Sequence, residues 1–197
     1  MEIIRFSSIR PEPWRNGGGV TREIARHPRG ASDGSWDWRV SIAEVGKAGD
    51  FSTFPGMERV ISVIDGELLV LTVDGEENAM ERYRPFRFSG DAVSSSALPT
   101  GDIRDLNVIA RRGAFKGYLS ILELSKKRAH PIFEGQLAIL LEGKASVAEE
   151  RGEESGDGQV ELGRYDAVVG SDEASPELLG RGFVAIVSLD PADPADA

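Results

Sequence analysis

The 197-residue sequence predicts an all-β protein made of two related β modules with little helix, and three observations lead there. Short apolar runs alternate with period two, which places apolar residues on one face of a strand and polar residues on the other. Gly, Pro and Asp punctuate those runs, and Gly stands at 23 of 197 positions, about 12% against an ordinary ~7%. Nowhere do apolar residues recur at i, i+3, i+4 and i+7 through three helical turns.

Taken in chain order, residues 21–25 read as a first strand behind a glycine run. Residues 36–43 give the clearest alternation, with Trp36, Trp38, Val40 and Ile42 interleaved with Asp37, Arg39, Ser41 and Ala43. Residues 60–64 and 67–73 follow, turned by Asp65-Gly66 and closed by Asp74-Gly75. Further strands are expected over 105–111, 118–124, 137–141, 145–148 and 182–189. Turn signals fall at Phe54-Pro55-Gly56, Ser89-Gly90-Asp91, Pro99-Thr100-Gly101, Glu142-Gly143 and Gly156-Asp157-Gly158. An internal echo pairs residues 61–67 with 137–144, each an apolar strand turned by an acidic residue and Gly, and residues 88–93 with 162–168. Two modules in tandem result, with a junction near residues 113–116 and an acidic, Gly-rich loop over 149–158.

Composition narrows the function classes. Lys and Arg number 23 against 33 Asp and Glu, a net charge of −10, which opposes binding to nucleic acid or to an anionic membrane over the whole surface. Without Cys there are no disulfides, thiolate metal sites or cysteine nucleophiles, and two His leave little for a histidine metal cage. The start of the chain lacks a signal-peptide pattern and no 18-residue apolar run occurs, so a soluble cytoplasmic protein is expected. Residues 191–197, acidic with two Pro, read as a disordered tail.

Two clusters carry the chemistry. Gly17-Gly18-Gly19 could offer backbone N–H groups to an anion, but the run lacks the spacing of a dinucleotide or P-loop motif and reads more simply as a tight bend into the first strand. The second cluster consists of charges inside strands: Arg39, Arg59, and the set Asp105, Asn107 and Arg111, which share one parity and hence one face. On a one-sided sheet these would face solvent. Inside a small barrel they would gather into a pocket, where arginine forks suit a carboxylate or phosphate. His27 and His130 each precede Pro and lack a second His nearby, Ser94-Ser95-Ser96 lacks the nucleophile elbow of serine hydrolases, and Lys126-Lys127-Arg128 reads as a solvated loop.

Residues 14–25, 38–43, 51–59, 88–91 and 105–112, in that order, resemble the HutD/Ves family: WRNGGGVTREIA, WRVSIA, FSTFPGMER, FSGD and DLNVIARR. The resemblance implies a bicupin, two tandem cupin-type antiparallel β-barrels, here a first barrel over 1–112 with the ligand pocket and a second over 113–190. It implies a place beside histidine utilisation, binding an intermediate such as N-formylglutamate or urocanate. The His-x-His motif of metal-dependent cupins is missing, which suits a pocket without metal or cofactor. Asp50 stands where the family commonly has Pro.

The leading reading is therefore a metal-free protein that binds a small carboxylate metabolite through Asn16, Thr21, Arg39, Arg59, Asp105, Asn107 and Arg111. Arg59 and Arg111 would meet the carboxylate, Asn107 and Asn16 would bond a formyl or carbonyl oxygen, and Asp105 would orient an arginine. A metal-independent isomerase, lyase or hydrolase with Glu23 or Asp105 as base is the alternative. A homodimer through the second barrel is a third reading. Arginines set into strands are expected to give the interior a charge opposite to that of the surface.

Overall fold

The computed structural model describes residues 1–32, 34–148, 159–173 and 175–193. Its regular structure is almost entirely strand, and the single helical element among the described residues is the 3-10 turn Phe6–Ser8. The strands are β1 (Glu2–Ile4), β2 (Glu12–Pro13), β3 (Gly19–His27), β4 (Trp38–Val45), β5 (Gly49–Phe51), β6 (Met57–Asp65), β7 (Leu68–Val73), β8 (Glu76–Glu81) and β9 (Phe86–Ser89). They continue as β10 (Ser94–Ala97), β11 (Ile103–Arg111), β12 (Phe115–Leu124), β13 (His130–Pro131), β14 (Gln136–Ala148), β15 (Gln159–Leu162), β16 (Ala167–Val169) and β17 (Glu177–Pro191). The loop expected over 149–158 and residues 194–197 of the expected tail lie outside the described residues. No helix among the described residues is long and apolar enough to cross a membrane.

Compactness divides the chain into two units that exchange their ends. One holds residues 1–9 and 119–188, the other 10–118 with the chain from 189 onward, whereas the linear reading runs 1–112 and 113–190. The reason is pairing across long separations. In the first of these units β1 pairs antiparallel with β16, Glu2 opposite Val169 and Ile4 opposite Ala167, while Arg5 reaches Asp166 at 2.6 Å. In the other, the Ala192 N–H donates to the Ala114 carbonyl at 2.9 Å.

The unit of residues 10–118 is built from two sheets. The six-stranded sheet runs β2-β3-β4-β11-β6-β9 and the four-stranded one β5-β10-β7-β8. These are facing sheets of a sandwich rather than one hydrogen-bonded closed barrel. Both contribute to one apolar cluster: Ala43, Val45, Ile61, Val63 and Ile103 from the larger sheet, Leu69, Leu71 and Met80 from the smaller. The apolar set read in residues 36–43 turns the other way, burying Val40 and Ile42 on the opposite face of β4, while Ala43 of the interleaved set joins this cluster. β11 is likewise buried on both faces, with Leu106, Val108 and Ala110 on one and Ile103, Asp105, Asn107 and Ile109 on the other.

In the unit of residues 1–9 and 119–188, β1-β16-β14-β17-β12 form one sheet, with β13 on β17 and β15 on β14. The turn expected at Glu142-Gly143 is instead a bulge inside the continuous β14, where the register against β17 shifts between Leu140 and Glu142. Gly143 lies opposite Gly182, both at positive φ (+94° and +112°), and a Cβ on either would stand 2.0 Å from a carbonyl oxygen of the other strand. This kink lets both ends of β14 and β17 serve one cluster, Ala138, Leu140, Val184 and Ile186 from one side of it and Ala145, Val147 and Leu178 from the other.

Candidate functional site

The site grows from three neighbouring strands of the six-stranded sheet. Antiparallel register sets Arg39 of β4 opposite Ile109 of β11, and Ile109 opposite Arg59 of β6. Two residues along, Ser41, Asn107 and Ile61 form a second row, and Ala43, Asp105 and Val63 a third. Directly paired residues point to the same side of a sheet, so one face carries polar groups that merge into the apolar cluster formed by Ala43, Ile61 and Val63. On β3 a bulge between Glu23 and Ala25 brings Glu23 opposite Ser41 and Arg26 opposite Arg39.

A cavity of about 630 Å³ opens over this face. Arg59, Asp105, Asn107, Ser41, Ala43, Ile109 and Trp36 are its buried lining, Trp14, Phe51 and Phe54 are aromatic walls, and Glu12, Arg15, Asn16, Asp50 and Ser52 are exposed lining. Arg59 is only 4% exposed. Its guanidinium lies 4.7 Å from the Phe88 ring centroid, 5.2 Å from Phe54 and 5.9 Å from Phe51, a cation held among aromatic rings. Nη1 donates to the Ser52 carbonyl at 3.2 Å and Nη2 to Asn107 Oδ1 at 2.9 Å, while Nε has no hydrogen-bond partner. Burial lowers the Arg59 pKa to about 10, against the attraction of Asp105, so the side chain stays cationic at neutral pH.

Asp105 completes the chain of contacts. Asn107 Nδ2 donates to Asp105 Oδ1, so Arg59 reaches this carboxyl through an amide, and Asp105 Oδ2 has no hydrogen-bond partner. Asp105 is fully buried, and desolvation raises its pKa to about 7 against the pull of Arg59. Among the described residues the buried charges of this unit are thus Arg59 and Asp105, one of each sign, rather than an interior opposite to the surface.

Six of the seven residues singled out from sequence line this cavity: Asn16, Thr21, Arg39, Arg59, Asp105 and Asn107. Arg111 is the exception. It shares their parity, but at the end of β11 its Nε turns to Asp37 at 3.0 Å and its Nη2 to the Trp36 carbonyl at 2.8 Å, where it fixes the entry to β4 instead of joining Arg59. Arg39 Nε stands 2.9 Å from Glu23 Oε2 without hydrogen-bond alignment, and Glu23 also pairs with Arg26. Glu23, considered as a base, is therefore committed to two arginines and lies outside the cavity lining. Asn16 Oδ1 accepts from the Gly18 N–H at 2.9 Å, leaving its amide nitrogen for other contacts, and Thr21 Oγ1 accepts from Trp14 Nε1 at 2.8 Å.

The glycine run is the bend, not an anion cradle: the Gly17 N–H donates to Trp14, the Gly18 N–H to Asn16, and the Gly18 carbonyl accepts from Gly46 and Lys47. An open hollow of about 490 Å³ beside it is lined by Glu44, Asp65 and Arg104, and Arg104 pairs with both carboxylates. Sequence reasoning missed Ser52, Phe51 and Phe54 as site residues. They were within a recognised motif, but Ser52 acts through its carbonyl and the two Phe through ring position. His27 stacks on Trp38 with centroids 5.8 Å apart, and His130 lies in β13; among the described residues no three His, Asp or Glu side chains gather as a metal site.

The HutD family model matches residues 6–186. The chain belongs to the HutD family. It is 38% identical over 125 residues to the protein Ves of Citrobacter koseri, 61% of this chain and 64% of that one, so it spans somewhat under two thirds of the length of that relative. It is 33% identical to an uncharacterised 21.2 kDa protein in the hutC 3' region of Pseudomonas putida, over 91% of this chain and 90% of that one. The solved structure of HutD from Pseudomonas fluorescens SBW25 (formate condition) superposes with a TM-score of 0.78 at 31% identity, covering 98% and 99% of the two chains. A cupin 2 conserved barrel domain protein from Leptotrichia buccalis matches at TM-score 0.57 and 8% identity over 97% and 96%, which establishes the cupin-type fold of this HutD-family chain and nothing finer.

Chemically, the lining offers a desolvated guanidinium, a buried carboxyl, an amide fixed at both ends, a hydroxyl and aromatic walls.

Proposed function

We propose that this HutD-family chain is a small-molecule binding protein whose cavity holds a small carboxylate of histidine breakdown, N-formylglutamate or urocanate, on Arg59. The observation that carries the reading is Arg59 itself, a cation 4% exposed at the cavity floor, with an unpartnered Nε and no carboxylate bonded to it directly. Fixed charge without a direct counter-ion is costly to bury and is stabilised by an incoming anion. The long 3.2 Å bond to the Ser52 carbonyl is the one a ligand oxygen displaces most easily. Asn107 then faces a carbonyl or formyl group. These groups call for no metal or cofactor. The histidine assignment draws on the family and on the naming of the Pseudomonas putida relative by its position in a hutC 3' region.

A thermal-shift series with N-formyl-L-glutamate, trans-urocanate, histidine and glutamate at millimolar concentration tests the ligand class. A ligand at about 100 times its dissociation constant stabilises the fold by about 2.7 kcal/mol, a shift of roughly 5–10 °C for a chain of this length. No shift with any of the four acids rejects the class.

A second reading, a metal-independent enzyme on a similar acid, is favoured by one feature: Asp105 has a free Oδ2 and a pKa of about 7, suited to a base at neutral pH. NMR of protein incubated with the same acids separates the two, since turnover supports the enzyme and binding without turnover supports the binding protein.

A further inference from the structure

We infer that a carboxylate ligand enters this cavity together with one proton, which Asp105 takes up from solvent and gives back when the ligand leaves. The inference rests on the binding reading above. It starts from a count of charges. Along the hydrogen-bonded chain Arg59–Asn107–Asp105 there is one guanidinium and one carboxyl, so the buried chain is neutral when both are ionised. A ligand carboxylate on Arg59 adds a second negative charge to a site where Asp105 is fully buried and Arg59 only 4% exposed. Two carboxylates sharing one desolvated cation cannot both stay ionised cheaply, and the one that sees no water gives way.

The other charged groups do not supply the missing cation. From β4, Arg39 faces the cavity but lies 2.9 Å from Glu23 of β3. On β11 itself Arg111 is held by Asp37, and Arg104 by Glu44 and Asp65. At the mouth, Arg15 shares the lining with two carboxylates, Glu12 and Asp50, all three exposed and screened by solvent. Apart from Asp50 of β5, already counted, β5 and β9 bring the rings of Phe51 and Phe88 to the guanidinium.

The geometry also provides a place for the proton. Asp105 Oδ1 accepts from Asn107, whereas Oδ2 has no hydrogen-bond partner. A proton on Asp105 Oδ2 therefore leaves the Asn107 amide in its present orientation, with Asn107 Oδ1 still accepting from Arg59. Burial already holds Asp105 near neutrality, at about 7, so a modest added negative potential is enough to complete its protonation.

Isothermal titration calorimetry tests this on the wild-type chain between pH 7 and 9, with N-formyl-L-glutamate and trans-urocanate, in triethanolamine and in Tris. The carboxylates of both probes ionise near pH 4 and are charged throughout that range. The two buffers differ in ionisation heat, so their comparison counts protons. The expected result is uptake approaching one proton near pH 8 and an affinity that falls by up to tenfold per pH unit above 7. Asp105→Asn is expected to give a flat profile and tighter binding than wild type at pH 8.5. If that variant does not fold, the buffer comparison on wild type decides alone. Binding without proton uptake and without pH dependence overturns the inference while leaving the carboxylate-binding reading intact. Absence of binding by both probes overturns both.

Discussion

Arg59 and Asp105 show how far single residues could be read from sequence. Residues two apart on a strand share a face, which was enough to bring Asp105 and Asn107 together, and a recognised motif drew in Asn16, Thr21, Arg39 and Arg59. Parity alone could not say where β11 stops facing the cavity, so Arg111 was included although Asp37 and the Trp36 carbonyl hold it elsewhere. The pairing of Arg59 with Asn107 was equally hidden, because it links positions 48 apart. Replacing Arg59 by Met leaves an apolar chain of similar length among Phe51, Phe54 and Phe88. The variant is expected to bind the ligand 10–100-fold more weakly, the equivalent of about 1.5–3 kcal/mol for a charge-assisted hydrogen bond, by calorimetry. With its only attracting cation removed, Asp105 should titrate above its present value of about 7, followed by its carboxyl carbon resonance. The same residue sets a stability slope. Its folded pKa is raised from 3.8 to about 7, so the native state binds more protons between those values and this contribution to stability falls as pH rises through the window. Denaturant unfolding at pH 5 and pH 7.5 reads the slope, and Asp105→Asn should flatten it.

At the level of elements, the strands with clean alternation were legible, and the polar ones were not. β10, Ser94–Ala97, has no apolar alternation, yet it lies between β5 and β7, and Ser94 and Ser96 are buried. Its pairing, not its composition, makes it a strand. The turn after β5 is similarly set by contacts beyond its own residues. The Phe54 N–H donates to the Gly90 carbonyl at 2.7 Å, the Gly56 N–H to Asp91 Oδ1 at 3.0 Å, and Arg112 bonds the Met57 carbonyl, Ser89 and Asp91. The FSGD motif and Arg112 thus hold the loop that presents Ser52 and Phe54 to Arg59. A Cβ on Gly90 would meet the Phe54 carbonyl at 2.5 Å, so Gly90→Ala must displace this loop. It is expected to weaken ligand binding several-fold although Gly90 is not part of the cavity lining. In the other unit, Gly182→Ala is expected to cost more than about 1 kcal/mol by denaturant unfolding, because φ is +112° and the Glu142 carbonyl lies 2.0 Å from the added carbon.

For the molecule as a whole, turn spacing and the internal echo pointed to two β modules, and the chain does form two compact units. The exchange of their ends was not legible, since the contacts that bring it about join residues such as Arg5 and Asp166, separated by 161 positions, and leave no local pattern. Within the cupin-type fold the strands of residues 10–118 pair into two facing sheets rather than one closed barrel, and a mouth opens over the polar face of β4, β11 and β6. Although the chain as a whole carries a net charge of −10, the floor of that cavity balances one guanidinium against one carboxyl. The central claim is that this floor receives a carboxylate on Arg59. The most direct measurement is the side-chain Nε–H resonance of Arg59, assigned by its loss in Arg59→Lys, followed while N-formyl-L-glutamate or trans-urocanate is added. The account predicts that this resonance moves downfield and saturates together with the calorimetric isotherm. A resonance that stays in place while either acid binds would contradict it.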